Sequence, residues 1–410
     1  MRVGIFTDSY TPYISGLVTS ELMLKEALEK QGHTVYVVTA NLESFKYTYD
    51  EKERIIRIPG VPVGIYDARL TGIYPLQAIQ TIKNWNLDVI HSQTEFGVGT
   101  FARIIAKQLN IPIVHTYHTM YEDYTHYITK GHFLGASKKI VEYLTKFYCD
   151  KTITELIVPT RKAYNLFKEK YQVERNVHII PTGIEVERFY NENFKKEDVM
   201  RLRKSLGLTT KDFVLTFVGR LGKEKSVDFL IEAHKKIFKK HPTAKLLIIG
   251  DGPEMDDFQK LVKELSLENS VIFTGKVPWD MVPVYYQLTD VFVTASKTET
   301  QGLTVIEAMA ASVPIVCMDD ESFKIAVVED LNGYFFKTKE TYVKRINYLI
   351  ENPKELKRLS KQARVSSEMH SSKYFALKVA GVYELAIQNK IKNSRLHKIK
   401  STIKKVFCGK

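Results

Sequence analysis

The sequence predicts an α/β protein built from two doubly wound, Rossmann-like domains, and three observations carry that prediction. Short apolar runs alternate with amphipathic stretches along the whole chain, the pattern of parallel strands joined by crossover helices. The alternation pauses at the polar stretch Asn191-Glu-Asn-Phe-Lys-Lys196 and then begins again. A chain of 410 residues exceeds one ordinary core and suits two domains of roughly 150 to 200 residues.

In the first half, residues 3–7, 35–39, 89–91 and 113–116 read as buried strands, with 20–31 and 99–109 as amphipathic helices between them. The strand His178-Ile-Ile-Pro181 and the turn Thr182-Gly183 lead into the linker. The second series of strands is 213–218, 245–249, 271–273, 291–294 and 315–317. Residues 342–350, 353–369 and 374–390 then read as helices. The expected domains are 1–190, 191–373, a helix 374–390 that returns to the first domain as in similar two-domain proteins, and a tail 391–410.

Composition narrows the class. A hydrophobic fraction of 44% and a charged fraction of 26% are those of a soluble globular protein. Cys149, Cys317 and Cys408 show no C-x-x-C spacing, so neither a zinc site nor a disulfide framework is expected, and a reducing cytosol fits. The N-terminus runs straight into a strand pattern, and no apolar run reaches the length of a membrane span. The expectation is a protein that is neither secreted nor membrane-spanning. The net charge of +13 is uneven, with eight basic residues and no acidic one between Lys390 and Lys410.

The residues that could carry chemistry stand at strand ends. Glu299 and Glu307 bracket Gly302-Leu303-Thr304, which opens a helix after the strand 291–294. In open α/β sheets ligands bind at that carboxyl edge. The amides of Gly302, Leu303 and Thr304 favour an anion such as phosphate, and carboxylates accept hydrogen bonds from sugar hydroxyls. At the head of the second half, Phe217-Val-Gly219-Arg220-Leu-Gly-Lys-Glu-Lys225-Ser226 places Arg220 and Lys225 at the corresponding edge. Two cations there suit a diphosphate leaving group. In the first half, Gly16 lies in the loop after the opening strand, and His118 lies just beyond the strand 113–116. Each of these residues alone also fits an ordinary turn, surface or hydrogen-bonding role.

The set of Gly16, His118, Arg220, Lys225 and the Glu299…Glu307 pair resembles the retaining glycosyltransferases of family 4, across nearly all of residues 1–390. The resemblance implies the GT-B fold, two Rossmann-like domains facing an interdomain cleft. It also implies roles: Glu307 for the ribose hydroxyls of a nucleotide, Gly302, Leu303, Thr304, Arg220 and Lys225 for its diphosphate. Glu299 would bind donor-sugar hydroxyls, and His118 would contact the sugar and steady the developing oxocarbenium charge. Gly16 would allow close backbone approach, and Val277 would line the base pocket. The chain has no Asp-x-Asp, in keeping with metal-independent transfer in which the UDP-sugar is a substrate and no cofactor is needed. Two departures stand out: Ser226 occupies a place where many relatives carry glycine, and Ser15 replaces the first of a usual glycine pair.

Within the family, 115–124, 14–20 and 148–150 look most like bacterial diacylglycerol glucosyltransferases. The tail repeats Leu396, Ile399, Ile403 and Val406 at helical spacing among its cations, which suits a basic amphipathic helix on an anionic membrane surface as well as a solvated tail. No nucleic-acid recognition motif accompanies the charge. Residues 61–66 and 76–85 read either as a lipid-dipping segment or as a helix packed on the sheet. The expected activity is therefore transfer of glucose from UDP-glucose to 1,2-diacylglycerol at the cytoplasmic face of the membrane. The alternatives are a soluble, cell-wall or protein acceptor, and a non-catalytic sugar-nucleotide-binding protein. The sequence does not separate glucose from galactose or N-acetylglucosamine.

Overall fold

A computed structural model describes residues 1–13, 16–41, 44–62, 69–71, 76–95, 97–118, 142–296 and 301–407, the last fifteen of these (393–407) by their backbone alone. The chain forms two compact units, Met1–Gly183 with Phe375–Lys410, and Ile184–Tyr374. Each is described in its own frame.

The strands of the first unit are β1 (Arg2–Thr7), β2 (Thr34–Asn41), β3 (Thr48–Asp50), β4 (Ile55–Pro62), β5 (Arg69–Thr71), β6 (Val89–Ser92), β7 (Ile113–Thr116), β8 (Glu155–Val158) and β9 (Val177–Ile179). They form one sheet in the order β3-β4-β2-β1-β6-β7-β8-β9, with β5 beside β4. The β3 and β5 pairings are antiparallel and the rest parallel. The central strands are apolar on both faces because helices cover both sides. The helices Leu76–Trp85 and Gly97–Gln108 pack into one cluster with Phe6, Val38 and Ile90. On the opposite cluster, Val3, Ile5 and Val114 meet Phe375, Val379 and Tyr383 of the long helix Ser372–Phe407.

Several local differences from the sequence reading have physical causes. The first helix begins at Gly16 rather than residue 20, because Val18 already belongs to its buried stripe. Ala78, Ile79, Ile82 and Trp85 face the core while Leu76 is exposed, so 76–85 is a helix packed on the sheet. Ile184, Val186 and Phe189 sit in a cluster with Val305, Ile306 and Met309. That burial puts the junction at Gly183–Ile184, ahead of the polar 191–196 stretch.

The second unit contains β10 (Phe213–Val218), β11 (Ala244–Ile249), β12 (Val271–Phe273), β13 (Val291–Thr294), β14 (Ile315–Met318) and β15 (Gly333–Phe336). Their order is β12-β11-β10-β13-β14-β15 and every pairing is parallel. Strand order therefore reverses between β10 and β13 here, and between β1 and β6 in the first unit, which opens a crevice at the carboxyl ends of those strands.

The returning helix gives a test of the fold. Phe375, Val379, Val382 and Tyr383 are all buried, and full burial of such side chains contributes about 1.5–3 kcal/mol each. Their sum rivals the whole stability of a typical domain, about 5–15 kcal/mol. A chain ending at residue 374 is expected to lose the cooperative unfolding of the first unit in urea, while one ending at residue 392 keeps it.

Candidate active site

The second unit gathers its polar groups at the ends of β10 and β13. Gly302 caps the helix Leu303–Ala310 in the left-handed conformation, with φ of 65° and no side-chain cap. A Cβ there would lie 2.9 Å from the ring of buried Phe323, so both backbone and space call for glycine. Leu303 is exposed and Thr304 half-buried. The first turn of this helix opens at the switch point, where the helix dipole favours an anion.

Glu307 follows one turn inside that helix. Its carboxylate accepts a 2.8 Å hydrogen bond from the hydroxyl of Tyr286, which also lies 3.2 Å from the Thr304 carbonyl oxygen. Burial pushes the Glu307 carboxyl above its ordinary value, opposed by the Tyr286 bond and the positive charge of Arg188. Burial, reinforced by Glu307, pushes the Tyr286 phenol far up. Arg188 stacks over Trp279 at 3.4 Å and pairs with Asp280 at 3.3 Å.

Beyond β10, Arg220 is exposed and its guanidinium donates to Glu224 at 2.5 Å. Lys225 stands in the single turn Lys223–Lys225, its amide bonded to the Gly222 carbonyl. The loop therefore presents two cations, and the carboxylate that holds Arg220 is one a phosphate could replace. Val277, after β12, is half-buried and packs against a cluster with Leu208, Leu247 and Ile249. Glu299 lies outside the described residues.

In the first unit, Gly16 is the first residue of the helix Gly16–Lys30 that follows β1. His118 stands past β7, and its Nε2 lies 2.6 Å from Gln93 Oε1. Burial pushes the His118 imidazole down to about 4, with Glu95 opposing and His115 adding to the shift. The imidazole is therefore neutral near neutral pH. Gln93 in turn approaches His91, whose ring nitrogens meet Tyr383 and Thr116 hydroxyls at 2.7 Å each.

A buried polar layer that the sequence reading does not include lies beneath these strand ends. Burial pushes Asp8 up to about 6, although it accepts the Val98 amide at 2.7 Å. Arg103 donates to Ser92 Oγ and to the Gly99 carbonyl. Glu95, His115 and Cys149 bring a carboxylate, an imidazole and a thiol within 4.8 Å of one another. His115 Nδ1 is bonded to the Ser92 carbonyl and Nε2 to Glu95, while burial pushes the Cys149 thiol well up. A cation would have to displace that proton and those bonds. The positions of Gln93 and Glu95, two and four residues past a strand-end histidine, are the signal in the sequence that points to this layer.

Two family models match, "Glycosyltransferase Family 4" over residues 14–188 and "Glycosyl transferases group 1" over 198–366. The alpha-monoglucosyldiacylglycerol synthase of Acholeplasma laidlawii is 38% identical over 389 residues, which is 93% of this chain and 96% of that one. The enzyme of the same name from Streptococcus pneumoniae is 38% identical over 318 residues, 77% of this chain and 70% of that one. Among solved structures, Anabaena HepE in complex with UDP superposes with a TM-score of 0.69 at 18% identity, covering 94% of this chain and 100% of that chain. That likeness shows the fold, GT-B with its two Rossmann-like units.

Ser226 carries a local cost in the cation loop. It adopts φ of 50° and ψ of 45° without making a side-chain cap to the helix Val227–Lys240. A left-handed conformation costs a non-glycine residue roughly 1–2 kcal/mol, so Ser226→Gly is expected to stabilise the protein by about 1 kcal/mol in urea unfolding.

Proposed function

The chain belongs to the family 4 glycosyltransferases, and we propose that it transfers glucose from UDP-glucose to 1,2-diacylglycerol, making α-monoglucosyldiacylglycerol with retention of configuration. The observation that carries this reading is the 38% identity to the Acholeplasma laidlawii synthase over nearly the whole of both chains. Glucose passed from an α-configured nucleotide donor into an α linkage keeps its configuration. Retention fits attack by the acceptor hydroxyl on the face the diphosphate leaves, with the departing phosphate taking the proton.

The named residues then divide the work. The ribose hydroxyls donate to Glu307, and the amides of Gly302, Leu303 and Thr304 receive the diphosphate. Arg220 exchanges Glu224 for phosphate oxygens, and with Lys225 it neutralises the charge that grows on the leaving group. These two cations take the place of a divalent metal in this reading. Glu299 holds donor-sugar hydroxyls, Val277 lines the base pocket, Gly16 gives close approach, and neutral His118 meets the sugar without repelling a developing positive charge.

The acceptor is a lipid, so the enzyme must work at a surface. Among the described residues no helix is long and apolar enough to cross a membrane. The last helix runs as backbone to Phe407, and the eight basic residues of 390–410 supply attraction to an anionic leaflet at about 1 kcal/mol each. Peripheral attachment at the inner face follows from this reading.

The direct test follows label from UDP-[14C]glucose into lipid extracted from anionic vesicles containing diacylglycerol, with EDTA present. Labelled lipid is expected, and Arg220→Ala or Lys225→Ala is expected to cut kcat at least a hundredfold. UDP release without labelled lipid would move the acceptor to a soluble, cell-wall or protein substrate.

The raised Glu307 carboxyl adds a pH dependence. Its neutral form is favoured in the free protein, so it gains a proton at a higher pH than an ordinary glutamate. Donor binding needs the carboxylate, so donor KM is expected to rise as pH falls, starting at a higher pH than an ordinary glutamate would give. Glu307→Gln should raise KM about tenfold at neutral pH and remove that dependence. It should not destabilise the fold, because ionised Glu307 opposes folding above its raised pKa.

A further inference from the structure

Gln93 lies just past β6 with 3% of its surface exposed. Its amide nitrogen sits 3.2 and 3.4 Å from the two nitrogens of His91, while its oxygen meets His118 Nε2 at 2.6 Å. His91 is itself fixed, with Nδ1 held by the Tyr383 hydroxyl and Nε2 by the Thr116 hydroxyl, each at 2.7 Å. The Tyr383 ring also packs edge-on against His91, with centroids 5.4 Å apart. The amide oxygen faces His118 and the amide nitrogen faces the His91 ring, whose two nitrogens are already engaged by hydroxyls.

An amide oxygen only accepts. The nitrogen facing it must carry the proton, and a neutral imidazole has one to place. We propose that Gln93 is a positioning residue for glycosyl transfer: it fixes His118 in the Nε2–H tautomer and so leaves Nδ1 as an acceptor for a donor-sugar hydroxyl. This inference rests on the role given to His118 above. Tyr383 extends the chain of contacts to the C-terminal helix, so that helix holds the sugar-contacting histidine at second remove.

The choice of glutamine has a chemical sense. A carboxylate at the same place would favour the imidazolium, whose two nitrogens both donate, and would abolish the acceptor at Nδ1. The other ionisable groups acting on His118 are Glu95, which favours the imidazolium, and His115, which opposes it. His118 in turn adds to the lowering of His91.

The test uses the full-length, 15N-labelled protein and long-range 1H–15N spectra, with His118 assigned by comparison with His118→Asn. Wild-type His118 is expected as the Nε2–H tautomer. Gln93→Met, nearly isosteric but without the amide, is expected to mix the two tautomers. Its kcat should fall about tenfold while donor KM changes by less than about threefold. Gln93→Glu should be equally impaired near pH 6 and recover as pH rises, a response that a purely structural role would not give. Wild-type His118 as the Nδ1–H tautomer, or a Gln93→Met enzyme with unaltered spectrum or kcat, overturns the proposal. If a Gln93 variant fails to fold, Tyr383→Phe loosens the same chain from its far end and is read by the same spectrum. An absence of transfer to every acceptor in the wild type would sink the functional reading instead, and the spectra would still decide the tautomer.

Discussion

A parallel sheet has to be covered on both faces, because crossover connections lie over it and its side chains are apolar on either side. In the first unit that cover is completed from the far end of the chain: Phe375, Val379 and Tyr383 close the face formed by Val3, Ile5 and Val114. In the second unit the cover is local, supplied by helices such as Val227–Lys240 and Leu303–Ala310. Once both faces are sealed, the ends of the strands are the places where polar loops can reach water. Gly302, Arg220, Lys225, Gln93 and His118 all lie at such ends.

The same constraint explains which elements are legible in the sequence. β10, β13 and β14 are short, largely apolar runs bounded by polar residues, and runs of that kind read as buried strands from their composition and length. β4 is hidden because Pro59 and Pro62 punctuate it, and proline argues against an interior strand; Pro59 is paired only at the last residue of β2. β15 opens with a glycine and has three aromatic residues, a composition without clear period. The first helix reads as starting late because its first buried residue lies close behind a glycine.

Legibility of the site follows sequence distance. Gly302, Leu303, Thr304 and Glu307 form one local motif, and the structure brings them together at one helix start. Arg220 and Lys225 are equally local, although nothing in their spacing marks Glu224 as the carboxylate that holds Arg220. The contacts behind His118 are not legible, because Tyr383 reaches His91 across 292 positions of sequence. Tyr286 beneath Glu307 is hidden for a similar reason: it belongs to a short helix whose aromatic residues read as ordinary core.

These buried partners set the charge state that the surface residues present. The loop after β10 holds exposed Arg220 in an ion pair with Glu224 at 2.5 Å. Glu307 sits deeper, and its hydrogen bond from Tyr286 only partly offsets the loss of water. His118 follows the opposite logic: burial removes its charge and Gln93 places its remaining proton. A cationic imidazole would oppose positive charge on a sugar ring, whereas a neutral one with an accepting lone pair can take a hydroxyl beside it. The buried partners thus act within each unit, Tyr286 on Glu307 in the second, and Gln93 with His91 behind His118 in the first.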